Sequence, residues 1–346
     1  MGYLIDFTKL ESSKRLYRGN AGLKRGVIYN KADWILKFPQ STAGFEGVDI
    51  SYTTSPLSEF IGSHIYQILG YPVHETILGI HFSETSKQKR IVVACKDFIK
   101  EGETELVDYE TIKNYYSDNL QDKLNALRAD LPPYEKKDLS SHSTPIEEII
   151  LQFKENEIFK TRKDITGLFF DVLVIDYFIN NNDRNPNNWG LIKDLNNNKF
   201  MVAPIFDNGA SFVSKHSDEK LKNILSKKDV LYNAVINGVC HFTFNHKQMT
   251  FKNLFKELEN TKIKDELHRA FDRVVPKIEK HWKEISDFIN NIPNIDDGMK
   301  IISDFQKEYF IKSMKIRFDE VIKPLSLENS KDEPEVEEDE KEFEIE

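Results

Sequence analysis

Cysteine is nearly absent from this sequence. Cys95 and Cys240 are the only two in 346 residues, and neither belongs to a CxxC pair or to a Cys/His spacing typical of zinc sites. A disulfide-built scaffold and a structural zinc site both need several cysteines or histidines at short, regular spacings. Neither can therefore be the basis of this fold.

Long apolar runs are also missing. No stretch approaches the roughly 18 apolar residues of a transmembrane helix, and the best candidate, Gly167 to Ile179, is interrupted by Asp171 and Asp176. The first ten residues include Asp6 and lack the basic-then-apolar pattern of a signal peptide. These absences predict a protein made in a reducing cytoplasm, without a transmembrane segment. Export without a signal peptide stays open, because such export leaves no sequence pattern.

Most of the chain lacks net charge. The segment from Glu328 to Glu346 carries 11 acidic residues and two lysines, and the whole chain has a formal net charge of −9. The body before this segment is therefore neutral, which argues against general nucleic-acid binding, since that needs many phosphate-neutralising cations. The acidic segment has few apolar residues and a run of like charges, so it is predicted to be a disordered tail.

The first hundred residues have the composition of short strands. Four β-branched or aromatic segments, each bounded by turn residues, are predicted as strands: Val27–Tyr29, Trp34–Phe38, Glu75–Ile80 and Arg90–Phe98. One helix interrupts them, because apolar residues recur at helical spacing between Pro56 and Gly70, which suit its start and its end. The pattern predicts a small antiparallel sheet with one helix.

The rest of the chain is mainly helical in pattern. A polar region from 99 to about 150 precedes a buried helix that ends at Asn180. A hairpin is predicted from Trp189–Ile192 and Phe200–Phe206, and amphipathic helices fill the range from Phe251 to Leu325.

The two halves predict an α+β fold with a small sheet-containing lobe and a mostly helical lobe. Residues 1–98 would form the sheet-containing N-lobe, residues 99–327 the mostly helical C-lobe, and residues 328–346 the acidic tail.

Two aspartate motifs carry the predicted chemistry. Asp183 and Asn188 have the Asp-x-x-x-x-Asn spacing of a kinase catalytic loop, and Asp207 with Gly209 has the Asp-x-Gly form of a metal-binding segment. Phosphoryl transfer from ATP needs a carboxylate to accept the proton of the attacking hydroxyl and hard oxygen ligands to hold Mg²⁺. Asn/Asp-rich loops are common turn material, so the first motif alone is weak. However, the first motif lies one hairpin before the second, and this order of the two motifs favours a kinase active site.

Lys37 ends the predicted strand that begins at Trp34, where a kinase fold places its phosphate-binding lysine. Glu59, early in the following helix, is a candidate partner. However, Glu59 lies away from the centre of the apolar stripe, so a solvated glutamate is an open alternative. His64 lies on the apolar side of the same helix and is predicted to be a packed or capped histidine.

A glycine-rich segment, Gly19-Asn20-Ala21-Gly22-Leu23-Lys24-Arg25-Gly26, precedes the Lys37 strand. Three glycines in eight residues allow backbone N–H groups to approach phosphates closely. The segment matches neither the G-x-G-x-x-G nor the Walker pattern. It is predicted to be a phosphate loop because it precedes the strand that carries Lys37.

Together these motifs resemble those of the HipA-like serine/threonine kinases, and especially the compact, CtkA-type branch of that family. The resemblance spans about residues 3–320. It rests on the order and spacing of six segments: Gly19–Lys24, Leu36–Pro39, Ser58–Phe60, Val92–Phe98, Asp183–Gly190 and Ala203–Gly209. Family members usually have Asp-Arg-His in the catalytic loop, whereas this chain has Asn185 in place of the histidine.

The resemblance implies an α+β, bilobal, protein-kinase-like fold and a role for each matched residue. Asp183 becomes the catalytic aspartate, Asn188 and Asp207 become magnesium ligands, and Lys37 with Glu59 becomes the phosphate-binding pair. The hinge between the lobes, whose backbone would hold the adenine of ATP, falls on Lys96, Asp97 and Phe98. The phosphate loop falls on Gly19, Asn20, Ala21, Gly22 and Lys24. The implied partners are ATP, Mg²⁺ and a protein substrate, with autophosphorylation.

Two other functions remain open from the sequence alone. A lipid kinase of the phosphoinositide-kinase-like group also uses Asp-Arg-His-x-x-Asn followed by Asp-x-Gly, but it would favour a basic or apolar membrane-facing surface, for which the neutral body gives no support. A pseudokinase scaffold would be expected to lack one of the key lysine, aspartate or asparagine residues, and all of them are present.

Overall fold

The computed structural model describes residues 2–15, 17, 23–115, 117–132, 144–160 and 162–329. Its amino-terminal part is a five-stranded sheet in the order β1-β4-β5-β3-β2. The strands are β1 (Ile5–Asp6), β2 (Lys24–Tyr29), β3 (Ala32–Lys37), β4 (Thr76–Ser83) and β5 (Gln88–Lys96). All neighbours are antiparallel except β1 and β4, which run parallel at one edge. The four predicted strands are therefore present, in an almost wholly antiparallel sheet.

The predicted helix of this region is α1 (Ser55–Ile68), with Pro56 in its first turn. Its apolar residues Leu57, Ile61 and Ile65 are fully buried and pack against the underside of the sheet and against the helices that follow. Because β3 alternates, Trp34 and Leu36 face a small outer core, while Ile35 packs toward α1. Lys37 lies on the same side as Ile35, and this places its amine next to α1.

The remaining part is mostly helical. Its helices are α2 (Tyr109–Ile112), α3 (Asp118–Asp130), α4 (Ile146–Glu155), α5 (Lys163–Ile179), α6 (Asp218–Leu225), α7 (Lys228–Ile236), α8 (Phe251–Glu259), α9 (Lys264–Asn291), α10 (Asp304–Arg317) and α11 (Lys323–Asn329). A π-helical segment, Phe318–Ile322, joins the last two. Within the described part of the chain, no helix combines the length and the apolar content needed to cross a membrane.

Short strands are inserted between these helices. They are β6 (Thr104–Asp108), β7 (Thr144–Pro145), β8 (Gly190–Asp194), β9 (Phe200–Val202), β10 (Val239–Phe244), β11 (Lys247–Thr250), β12 (Ile295–Asp296) and β13 (Met299–Lys300). β8 and β9 form the predicted hairpin, and β6 pairs with its other edge. The second hairpin strand is shorter than predicted. It ends at Val202 because Ile205 pairs instead with Val73, in the turn between α1 and β4.

The main core is continuous through the molecule. Residues of α1 such as Phe60 and Ile61 belong to the same buried apolar cluster as Phe170 of α5 and Phe271 of α9. The buried helix α5 lies at the centre of this cluster and delivers the chain to Asn180 and the predicted catalytic loop.

Candidate active site

The predicted catalytic loop begins where α5 ends. Asn180 adopts the left-handed conformation, with φ of 55°, and the amide of Asn181 donates to the carbonyl of Asp176 at 2.7 Å. Asparagine tolerates this conformation better than most residues. The reversal brings Asp183 to the surface with its side chain 51% exposed, so its carboxylate is open to an incoming substrate.

Arg184 anchors this loop from below. Its guanidinium is 3% exposed and forms a two-point ion pair with Asp176, with nitrogen–oxygen distances of 2.8 and 3.0 Å. It also donates to the carbonyls of Asn188 and Phe206 and to Oδ1 of Asn208. Burial alone would lower the pKa of Arg184, but the Asp176 carboxylate outweighs burial and raises it. A permanently charged side chain thus joins the catalytic loop to the segment around Asp207.

The side chains around Asp183 restrict its orientation. Asn185 donates from Nδ2 to Asp183 Oδ1 at 3.0 Å, and Asn188 donates from Nδ2 to the Asp183 carbonyl at 2.6 Å. His241, on β10, places Nδ1 4.0 Å from Asp183 Oδ1. The position of His241 beside this aspartate could not be predicted from the sequence, since it depends on the pairing of distant segments.

Asp207 follows the β8–β9 hairpin and also has a left-handed backbone, with φ of 60°. The chain comes close enough to α1 at this point that a Cβ on Gly209 would lie 3.2 Å from Oε2 of Glu59. A side chain at position 209 would crowd that carboxylate. The glycine of the Asp-x-Gly motif is therefore explained by close packing against α1.

Lys37, Glu59 and Asp207 meet in the structure. Lys37 Nζ lies 3.0 Å from Glu59 Oε2 and 2.8 Å from Asp207 Oδ1. Burial would lower the pKa of Lys37, but Asp207 and Glu59 outweigh burial and raise it, so the amine stays charged. For Glu59 and Asp207, burial would raise the pKa, but Lys37 reverses the effect and both pKa values are lowered. The cluster holds one cation between two carboxylates.

The alternative of a solvated Glu59 was wrong. Its side chain is only 1% exposed, and its second oxygen, Oε1, lies 2.9 Å from Nε2 of the buried His74. The spacing of apolar residues along α1 does not predict this burial, because the side chain is held by a polar contact with the sheet and not by apolar packing. His64 is packed as predicted: its Nδ1 contacts the Phe60 carbonyl at 2.8 Å and its ring stacks on Phe288.

The predicted hinge lies at the end of β5. The amide of Lys96 donates to the Glu75 carbonyl and that of Asp97 to the Asp33 carbonyl, at 2.9 and 3.0 Å. The Lys96 amine forms an exposed ion pair with Glu75. Phe98 places its ring 5.8 Å from that of Phe206, next to the predicted metal-binding segment.

The side chain of Asp97 is held on one face of the hinge. It accepts from Arg15 at 2.6 Å and from the Tyr17 hydroxyl at 2.9 Å. The segment that leads toward the predicted phosphate loop is therefore fastened to the hinge. The loop residues Gly19, Asn20, Ala21 and Gly22 lie outside the described residues. Lys24, the first residue of β2, pairs in register with Lys37, and its charge contributes to lowering the pKa of Asp207.

Two groups of side chains could hold a metal ion. The Asn188 amide uses its nitrogen for the Asp183 carbonyl, which leaves Oδ1 as its ligand atom, and Asp207 contributes a carboxylate. These hard oxygens suit a divalent cation that keeps several waters. Glu59, His74 and Cys95 also cluster, with ligand atoms within 4.8 Å of one another. In that group Lys37 and His74 already occupy the Glu59 oxygens, and burial raises the pKa of the Cys95 thiol, so the Asn188 and Asp207 pair fits a metal better.

Comparison with known proteins supports the predicted kinase-like fold. No protein-family model matches the chain. Serine/threonine-protein kinase CtkA of Helicobacter pylori (strain J99) is 29% identical over 319 residues, which cover 92% of this chain and 86% of that protein. The crystal structure of the H. pylori proinflammatory kinase CtkA matches with a TM-score of 0.76 and 25% identity, covering 95% of this chain and all of the other.

A second solved structure is more distant. The HipA, HipB and operator DNA complex of a Shewanella oneidensis MR-1 toxin–antitoxin system matches with a TM-score of 0.48 and 12% identity, covering 91% of this chain and 69% of that chain. This likeness is too weak to bear on function. In sequence and in fold, over nearly the full length of both chains, this protein is similar to the serine/threonine-protein kinase CtkA.

Proposed function

We propose that this protein is an ATP- and magnesium-dependent serine/threonine protein kinase that transfers the γ-phosphoryl group of ATP to a hydroxyl. The observation that carries the proposal is the contact of Lys37 with both Glu59 and Asp207, with Arg184 joining Asp207's segment to the loop that bears Asp183. Phosphoryl transfer depends mostly on such positioning and on charge stabilisation.

Asp183 is the proposed catalytic base. Its exposed carboxylate would accept the proton of a serine or threonine hydroxyl as that oxygen bonds to the γ-phosphorus and the bond to the β–γ bridging oxygen breaks, releasing ADP. Asn185 holds one oxygen of the carboxylate at 3.0 Å and so directs the other toward the substrate.

Asn188 and Asp207 are the proposed magnesium ligands. Their oxygens would hold the magnesium ion, which would supply positive charge to offset the charge of the phosphates. Asp207 has a lowered pKa, so it is ionised and ready to coordinate at neutral pH. Lys37 contacts Oδ1 of the same carboxylate, so the amine and the metal would share Asp207.

The hinge and the strand lysines are proposed to hold ATP. Lys37 supplies a cation for the α- and β-phosphates, and Lys24 lies beside it in register. Gly19 to Gly22 are proposed as the phosphate loop. The amides of Lys96 and Asp97 donate within the protein, so the amide of Phe98 is the proposed donor to the adenine ring.

The test is incubation of the purified protein with labelled ATP and magnesium, alone and with mixed peptide substrates, followed by mass spectrometry for phosphorylated serine or threonine. Incorporation that requires a divalent cation is expected, including autophosphorylation. Phosphoinositide vesicles serve as the competing substrate. Transfer to lipid but not to peptide would overturn the proposed substrate class.

Asp183→Asn and Asp207→Asn should fail in different ways. Asp183→Asn removes the proton acceptor and should lower the transfer rate by about 10²–10⁴-fold while leaving nucleotide binding intact. Asp207→Asn removes a charged metal ligand, so binding of a non-hydrolysable ATP analogue in the presence of magnesium should weaken as well. Calorimetry with and without magnesium measures the difference. Loss of binding only in Asp183→Asn would show that the roles are reversed.

A further inference from the structure

The pair formed by Lys37 and Glu59 has a third member, His74, in the turn between α1 and β4. We propose that His74 is a positioning residue that fixes Glu59 and ties α1 to the segment bearing Asp207, so that Lys37 keeps its place when metal and nucleotide bind. The inference rests on the proposed kinase function, because it concerns how the phosphate-binding lysine of that function is held.

The two oxygens of Glu59 have separate partners. Oε2 contacts Lys37 Nζ at 3.0 Å, and Oε1 contacts His74 Nε2 at 2.9 Å. An ionised carboxylate only accepts, so this contact stabilises Glu59 when Nε2 carries a proton. Both Glu59 and His74 are almost fully buried, at 1% and 3% side-chain exposure, where a polar contact to a charged group is strong and its loss is costly. Glu59 therefore cannot turn away from Lys37 without also giving up its contact with His74.

The backbone of His74 is attached to the metal-binding segment. Its amide donates to the Ile205 carbonyl at 3.1 Å, and the Ile205 amide donates to the Pro72 carbonyl at 2.8 Å. Ile205 lies two residues before Asp207. The turn that carries His74 is thus hydrogen-bonded to the segment that carries the proposed metal ligand.

A second link runs through α1 itself. Ser63 Oγ lies 3.2 Å from His74 Nε2 and accepts from Asn208 Nδ2 at 3.1 Å. Asn208 in turn accepts from Arg184 at 2.7 Å. All four side chains are buried. The helix that bears Glu59 is therefore fastened to the segment of Asp207 and to the catalytic loop by internal hydrogen bonds that need no added phosphate or partner protein.

The arrangement predicts how the site fails without His74. Lys37 contacts two carboxylates at similar distances, 2.8 Å for Asp207 and 3.0 Å for Glu59. If Glu59 lost its second contact and shifted, Lys37 would pair with Asp207 alone and compete with the metal for it. The loss should therefore be larger for nucleotide binding with magnesium than for nucleotide binding without it.

The experiment compares His74→Phe, which keeps a flat ring but has no donor, with His74→Gln, whose amide can still donate to Glu59. His64→Gln is the matched control, because His64 lies on α1 and its contacts are with the Phe60 carbonyl, the Thr76 hydroxyl and neighbouring rings. Calorimetry gives the Kd of a non-hydrolysable ATP analogue with and without magnesium. Steady-state assays give KM for ATP and kcat, and thermal unfolding reports folding.

We expect His74→Phe to weaken magnesium-dependent analogue binding by about 10- to 100-fold, the range for losing a hydrogen bond to a buried charge. His74→Gln should recover most of this loss, and His64→Gln should bind like the wild type. Should His74→Phe show no cooperative unfolding, His74→Ala is compared with and without added imidazole, which should restore binding.

Two results would overturn the role of His74. One is a folded His74→Phe protein that binds the analogue like the wild type, in magnesium and without it. The other is a His74→Ala protein whose weakened binding imidazole does not improve. Failure of the proposed function has a different signature, since the wild type would then bind the analogue without transferring phosphate to any substrate.

Discussion

A single buried side chain, Arg184, connects the parts of the proposed catalytic centre. Asp176 neutralises its charge from α5, and its other donors reach the carbonyls of Asn188 and Phe206 and the side chain of Asn208. A buried ion pair of this kind adds little net stability over an apolar pair, but removing one partner leaves an uncompensated charge. The value of Arg184 lies in the geometry that it imposes on two loops.

Arg184→Met should therefore lower both stability and activity. It leaves Asp176 buried without its cation, so the free energy of unfolding should fall by about 3–5 kcal/mol in urea titrations. Arg269→Met is the control, since Arg269 forms an exposed pair with Glu266 and should cost about 1 kcal/mol or less. Equal losses of unfolding free energy in the two variants would show that the buried network stabilises the protein no more than an exposed ion pair does.

The residues of this centre were predictable to different degrees. Asp183, Asn188 and Asp207 were singled out from the sequence because their spacings match two kinase motifs in the expected order, and their roles remain predictions. The burial of Glu59 was left open, because its contacts are with Lys37 of β3 and with His74 of the turn before β4, and not with its own helix. His241 could not be found at all, since only the packing of β10 beside the catalytic loop brings it to Asp183.

At the scale of elements, local signals predicted the helices and strands whose apolar residues repeat regularly. α1 and the buried α5 follow from their apolar spacing and from the proline, glycine and asparagine at their ends. β6 was not predicted, because its polar sequence becomes a strand only by pairing with β8, far along the chain. The hairpin of β10 and β11 was likewise missed, and β10 also pairs with β7.

One element contact should respond to pH. The segment after Asp207 packs against the loop before α1, where the amide of Thr54 donates to the Ser214 carbonyl at 2.8 Å and the Ser217 hydroxyl donates to Asp49. His216 lies in this segment, with its Nδ1 buried and unbonded among the described residues. Burial, aided by Lys220, lowers the pKa of His216 to about 4.

The free energy of unfolding should therefore fall as pH drops from about 6.5 toward 4. In this range the unfolded chain binds a proton at His216 while the folded protein keeps the ring neutral. The contribution is fully present above about pH 6.5 and is lost as pH approaches the folded pKa. Urea titrations at several pH values should give a flatter profile for His216→Gln than for the wild type. Parallel profiles would mean that His216 titrates alike in both states.

At the scale of the whole molecule, the acidic tail should be dispensable for folding. Residues 330–346 follow the end of α11 at Asn329, carry mostly acidic side chains and include few apolar residues. Their removal should leave the thermal midpoint and the rate of phosphoryl transfer nearly unchanged, because they offer little apolar surface to bury. Thermal unfolding of the shortened chain checks this. A clear fall in the midpoint would show that the tail docks on the body.

The predicted boundary between residues 98 and 99 separates two regions that share one core. α1 precedes this boundary, yet its Tyr66 hydroxyl donates to Asp176 of α5 at 2.8 Å, and Tyr71, just after the helix, donates to Asp171 at 3.0 Å. The apolar side chains of α1 belong to the same buried cluster as those of α5 and α9. A break at this boundary would expose that surface on both pieces.

A fragment of residues 1–98 should therefore fail to fold alone. Exposing Leu57, Phe60, Ile61 and Ile65 costs about 1.5–3 kcal/mol for each side chain, which together matches the whole stability of a small domain. Circular dichroism should show no cooperative thermal transition for the fragment, whereas the full chain should unfold in one transition with equal calorimetric and van't Hoff enthalpies. Mixing the fragment with residues 99–346 should restore a cooperative transition if the shared core drives assembly. A cooperative transition in the isolated fragment would instead establish residues 1–98 as an independent domain.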